Sequence, residues 1–179
     1  MHFIGLRHGQ SQYNLKSLCN DDPSCPVDLT EKGKLQARQA AMLLQNENIS
    51  RIYTSPLPRA IQTAEIVNDQ LNLELLVESS LADIRSGFDG RPVNDYMKAI
   101  EHDPVHAKVN DGESINEFHE RVGSFLNSLS ESENDNTLLV THEEALRVFK
   151  AWAEGLEPEQ VLWIPFENCK PYMFFSTLT

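Results

Sequence analysis

Cysteine is scarce and odd in number in this chain of 179 residues: Cys19, Cys25 and Cys169, with no Cys-x-x-Cys pair. That argues against a disulfide-stapled scaffold and a thiolate zinc site. Cys19 and Cys25 share a polar, Pro-containing loop and are near enough to meet, but a reducing cytoplasm is the simpler reading. Long apolar runs are also missing. None approaches the roughly 20 residues that span a bilayer, and no basic segment leads an apolar one at the N-terminus, so neither a membrane span nor a signal peptide is expected. Positive charge is in deficit, with 15 Lys+Arg against 27 Asp+Glu and a net charge of −12. A surface of that sign, without a Lys/Arg cluster, repels nucleic acid and anionic membrane. A phosphate pocket stays open, since salt screens distant surface charge beyond about 8 Å.

What remains is ordinary for a globular protein, with 40% hydrophobic and 23% charged residues. The length reads as one domain over 1–179, with no repeat, linker or low-complexity tract. Strand-like apolar runs recur at 2–7, 49–54, 74–78, 137–141 and 171–177. Helical spacing fills the intervals. Thr30 N-caps a predicted helix over 31–46, with Leu35, Met42 and Leu43 on one face. Ala60, Ala64, Val67 and Leu71 form a stripe on a helix from about Pro58. Ser114 to Glu117 is a capping box that opens a helix carrying Ile115, Phe118, Val122, Phe125, Leu126 and Leu129. The last helix, 143–154, should stop at Gly155. Strands alternating with helices imply a three-layer α/β/α sandwich around a mainly parallel sheet. Residues 82–113 break the alternation and read as loops with a short helix over the sheet's carboxyl edge.

Arg7-His8-Gly9 closes the first strand, at the end where open α/β sheets bind ligands. A neutral imidazole there can attack phosphorus and carry the phosphoryl group; on residues 3–9 alone, a histidine capping the strand is the blander reading. Two other strand ends change the balance. The second leads through Ser55-Pro56-Leu57-Pro58 to Arg59 at a helix start, and the fourth ends at Thr141-His142. If these strands are parallel neighbours, two arginines and two histidines converge on a volume suited to a tetrahedral dianion.

These residues give the chain its resemblance to the histidine phosphatase superfamily of phosphoglycerate-mutase-like proteins. The signature reads Arg7-His8-Gly9-Gln10-Ser11-Gln12-Tyr13-Asn14. Leu29 to Gly33, Ser55 to Leu57 with Arg59, Gly112 to Ser114, and Val140 to His142 follow in family order. The resemblance implies that His8 becomes a phosphohistidine while Arg7, Arg59 and His142 hold the phosphoryl oxygens, with Ser11 and Asn14 adding polar contacts to the substrate. It implies no metal and no cofactor. His102 and His106, split by Pro104, read as solvated loop residues and not as ligands.

The family draws a proton donor from the loop after the third strand, where Asp83 is the matching acid; Glu113 and Asp89 stand next. Many relatives carry Glu at that place and a longer following loop, so Asp83 departs from the commoner pattern. A second departure is Glu143-Glu144 directly after His142, where small residues are common. Two acids in a first helical turn read as solvent-facing, with Glu144 paired to Arg147 at i,i+3. The sharper alternative is that Glu143 opposes a second anionic group on the substrate. The expected function is a phosphatase for a small phosphorylated metabolite. The alternatives are a phosphoglycerate mutase, a protein phosphohistidine phosphatase acting on a phosphoprotein, and a non-catalytic phospho-ligand binder. Trp152, Trp163, Phe166 and Phe174 fit either a core or a subunit interface, so oligomeric state stays open.

Overall fold

In the computed structural model, which describes residues 2–129 and 136–176, the first four strands run parallel. They are β1 (His2–Arg7), β2 (Ile49–Thr54), β3 (Glu74–Val77) and β4 (Asn136–Thr141), and a fifth, β5 (Pro171–Phe175), lies antiparallel against β1. The sheet order is β3-β2-β4-β1-β5. Period-two alternation divides each central strand between two cores. Ile4, Leu6, Leu138 and Val140 face α2 (Glu31–Leu44) and α3 (Pro58–Leu71), whereas Phe3 and Leu139 face α5 (Ile115–Ser128) and α6 (Glu143–Glu154). This is the expected α/β/α sandwich. Among the described residues, no helix is long and apolar enough to cross a membrane.

The capping signals hold. Thr30 Oγ1 accepts from Gly33 N, the Ser114 capping box forms, and α6 ends on Gly155 in the left-handed region. Leu129 lies one residue past α5 as its C-cap, yet still packs on the core. The irregular stretch contains one short helix, α4 (Val93–Ile100). A five-residue helix, α1 (Gln12–Lys16), was not anticipated, although Ser11 and Asn14 form its capping box. Thr177, the end of the last predicted strand, lies outside the described residues.

The face of α2 that carries its largest apolar side chains is not the face that meets the sheet. Leu35, Met42 and Leu43 are 53%, 69% and 65% exposed, while Gly33, Ala37, Ala40, Ala41 and Leu44 are buried. Large strand residues already fill the space over β1 and β4, so the helix approaches on its small face. Of the C-terminal aromatics, Phe166 and Phe174 are core, Trp152 is partly buried against it, and Trp163 is 62% exposed.

Candidate active site

Because β4 lies between β1 and β2, the three strand ends converge. Arg7 stands opposite Thr141 in the β1–β4 register, and Ser55 N donates to Val140 O across 2.9 Å. His8, Arg59 and His142 are each under 5% exposed at the floor of a cleft of about 180 Å³. Arg7, Ser11, Asn14 and Asp83 also line it.

The protonation of His8 follows from its partners. Arg59 Nε lies 3.1 Å from His8 Nε2, and a guanidinium can only donate. Nε2 therefore presents a lone pair, and Nδ1 carries the proton that it donates to Gly9 O across 2.7 Å. Burial, aided by Arg59, His142 and Arg7, holds the His8 pKa well below 6.5. The loop after it is clamped by α2, where Thr30 N donates to Gln10 O and Gln36 Oε1 accepts from Gln10 N. Gly9 and Gly33 touch backbone to backbone, and a Cβ on Gly33 would lie 2.1 Å from Gln10 O.

Arg59, at the start of α3, distributes its other donors. Nη1 bonds Asn20 Oδ1, and Nη2 reaches Asn20 O, Asp83 Oδ2 at 2.9 Å and His142 Nδ1 at 3.1 Å. His142 Nε2 lies 2.7 Å from Ser55 Oγ. Arg59 can only donate, so His142 Nδ1 presents a lone pair here and Nε2–H donates to Ser55 Oγ, a hydroxyl that could donate in turn to the other neutral tautomer. Burial, then the nearby arginines, pushes the His142 pKa well below 6.5. Asp83 sits 3.4 Å from His142 Nδ1, and burial raises its carboxyl above the usual range against the pull of Arg59.

Arg7 Nη1 donates to Phe166 O and pairs with Glu143 at 3.0 Å, whereas its buried Nε has no partner among the described residues. Glu143 is thus not a solvent-facing acid: it lines the cleft, held by Arg7 and by Phe166 N–H at 3.1 Å. Glu144 pairs with Arg147 as expected, but it too lines the cleft. The helix start abuts the strand ends, so its first turn faces the cleft, with both glutamates partly buried.

Asn14 and Ser11 are engaged with each other, since Asn14 Oδ1 accepts from Ser11 N. Glu113 and Asp89 are frame residues. Glu113 pairs with Arg121, which donates to the carbonyls of Ser80, Ala82 and Asp83; Asp89 holds Asn20 and the backbone of Asp21. Sequence reasoning missed Asn20, Ser55 and Thr63, whose Oγ1 accepts from Gly9 N. Ser55 and Thr63 lie in or beside the motif that delivers Arg59, the one signal that pointed to them. His102 and His106 are exposed, with His106 at 3.2 Å from Asp103. Cys19 and Cys25 are free thiols.

A family model, the histidine phosphatase superfamily (branch 1), matches residues 3–174. The chain belongs to that superfamily. One relative is a Hydrogenobacter thermophilus protein provisionally named phosphoserine phosphatase 2. It is 30% identical over 171 residues, 91% of this chain and 83% of that one. The 2,3-bisphosphoglycerate-dependent phosphoglycerate mutase of Thermoplasma acidophilum is 26% identical over 166 residues, 92% of this chain and 82% of its own. In three dimensions the chain is similar to the alpha-ribazole phosphatase of Shigella flexneri. The TM-score is 0.86 at 27% identity, over 97% of this chain and 89% of that one. The superfamily thus contains both phosphatases and mutases at comparable distance from this member.

Proposed function

We propose that this protein, as one catalytic domain in a reducing cytoplasm, hydrolyses a small phosphomonoester through a phosphohistidine on His8. The observation that carries the reading is the Nε2 lone pair of His8, aimed into a cleft floored by Arg59 and His142 and bordered by Arg7 and Asp83. In the first step Nε2 bonds to phosphorus, the phosphorus–ester oxygen bond breaks, and Asp83 gives its proton to the leaving oxygen. The proton on Nδ1 stays against Gly9 O and stabilises the positive ring. Arg59 turns its Nε–H from His8 to a phosphoryl oxygen, and the free Nε–H of Arg7 supplies a second donor. His142 donates from Nδ1 once its tautomer is exchanged against Ser55. In the second step Asp83 takes a proton from water, whose oxygen attacks phosphorus and releases His8.

The mutase reading is supported by the Thermoplasma acidophilum relative, and would return the phosphoryl group to a second substrate hydroxyl. Two assays on one preparation separate the readings: phosphate release from a panel of phosphorylated metabolites, and interconversion of 2- and 3-phosphoglycerate. Hydrolysis without interconversion, with both the activity and an acid-labile phosphoenzyme lost in His8→Ala, is the expected result. Hydrolysis that survives His8→Ala overturns the mechanism.

A further inference from the structure

The cleft binds a dianion by the reading above, yet its acidic side chains outnumber its Lys and Arg. Arg7 and Arg59 are the only Lys or Arg side chains lining it among the described residues, against the three acids Asp83, Glu143 and Glu144. Asp83 holds its proton in the first step, and burial pushes the Glu144 carboxyl up to about 7. Both histidines are held neutral. With Asp83 protonated, Arg7, Arg59 and Arg147 (13% exposed) stand against Glu143 and Glu144, so a bound phosphoryl dianion leaves the site net negative when both glutamates are ionised. Each of these guanidiniums has an acid of its own: Arg7 has Glu143, Arg59 has Asp83, and Arg147 has Glu144. Arg85 and Arg91 lie outside the lining and are 67% and 55% exposed, each beside an acid of its own, Glu113 and Asp95. The phosphoryl group draws on Arg7 and Arg59. No cation is then left for a second anionic group, which would meet Glu143 and Glu144 across a half-enclosed, low-dielectric space. The opposite wall is apolar and comes from Val93, Tyr96 and Met97 of α4.

We propose that Glu143 and Glu144 set the substrate class of this site, favouring phosphate esters of amino alcohols over those of neutral alcohols, and excluding phosphorylated carboxylic acids and bisphosphates. The proposal rests on the phosphomonoesterase reading. Glu143 is placed for it because Arg7 holds one carboxylate oxygen and Phe166 N–H the other, fixing the group in the cleft beside Arg7. Glu144 is placed for it because it lines the cleft and, among the described residues, its one ion-pair partner is Arg147, a turn further along α6.

Three esters that differ in one group test this: phosphoethanolamine, glycerol 3-phosphate and 3-phosphoglycerate. Phosphate release is measured for wild type, Glu143→Gln and Glu144→Gln. In wild type, kcat/KM should fall at least tenfold from the ammonium ester to the carboxylate ester, with glycerol 3-phosphate between them. Each Gln variant should narrow that ratio several-fold, whatever it does to the absolute rate. A wild-type ratio near one, a preference for 3-phosphoglycerate, or a ratio unchanged in both variants would overturn the proposal. Calorimetric affinities of the same esters for His8→Ala keep the two readings apart. Should the protein release phosphate from neither these esters nor the wider panel, the hydrolase reading fails, and the same charge ranking in affinity still supports the selectivity. Equal affinities sink the selectivity as well.

Discussion

Arg59 Nε donates to His8 Nε2 across 3.1 Å, so the atom proposed to attack phosphorus is held by the cation proposed to stabilise the phosphoryl group. One guanidinium also reaches Asn20, Asp83 and His142, which needs a planar fork with several donors. Arg59→Ala should lower kcat by about 10²–10³-fold, the usual loss when a preorganised oxyanion donor is removed. Arg59→Lys should recover little of it. A single ammonium supplies charge but cannot address His8 and Asp83 together. Steady-state rates of the two variants decide the point, and near-complete rescue by Lys would show that charge alone matters.

The pH profile follows from two opposite shifts. The first step needs His8 neutral and Asp83 protonated. Burial keeps His8 neutral well below pH 6.5 and raises Asp83 above its ordinary 3.8. Activity is therefore present on the acid side, bounded below by protonation of His8, and it declines as rising pH ionises Asp83. Asp83→Asn should lower kcat by about 10²–10⁴-fold on an alkyl ester. Its cost to phosphoenzyme formation, read as kcat/KM, should be much smaller on p-nitrophenyl phosphate, whose leaving group needs no proton, while kcat stays low because the second step still lacks its base. The variant should also lose the basic limb of the kcat profile. If it keeps full activity on the alkyl ester, the proton comes from elsewhere.

The parts of this molecule legible in the sequence are those set by local rules. Thr30, Ser114 and Gly155 bound their helices because capping depends on neighbouring backbone groups alone. His8, Arg59 and His142 were legible as strand-end residues, and the strand order β2-β4-β1 is what brings them together. The buried face of α2 was not legible. Its residues were chosen by how closely a helix can approach a filled sheet, which favours alanine over the more hydrophobic Leu35, Met42 and Leu43. The partners of Glu143 were hidden for a similar reason: Arg7 and Phe166 are distant in sequence and meet it only through packing.

Gly33→Ala tests whether the α2 clamp matters to the site. Alanine in a helix is worth up to about 1 kcal/mol over glycine. Here the added carbon would sit 2.1 Å from the carbonyl oxygen of Gln10, a backbone atom that cannot rotate away. Overpacking of that kind costs about 1–3 kcal/mol, so the net effect should be destabilising. The displaced loop begins one residue after Gly9, and kcat/KM should fall along with Tm. A variant more stable than wild type would mean that the loop yields freely.

Arg121 and Glu113 frame the loop that carries Asp83, and their effects should be separable from direct chemistry. Glu113 is 4% exposed and accepts from Arg121 and from Arg85 N. Arg121→Leu strands that buried charge, at a cost of about 3–5 kcal/mol, with the exposed Arg85 giving weak compensation. Adding Glu113→Gln should recover part of the stability, because the stranded group is then neutral and its amide oxygen can still accept from Arg85 N. Activity should not recover with it. Arg121 also donates to the carbonyls of Ser80, Ala82 and Asp83, and neither variant restores those bonds. Urea denaturation and kcat measured on the single and double variants would show the two properties parting. If both return together in the double variant, Arg121 serves only to neutralise Glu113, and the loop holds Asp83 in place without it.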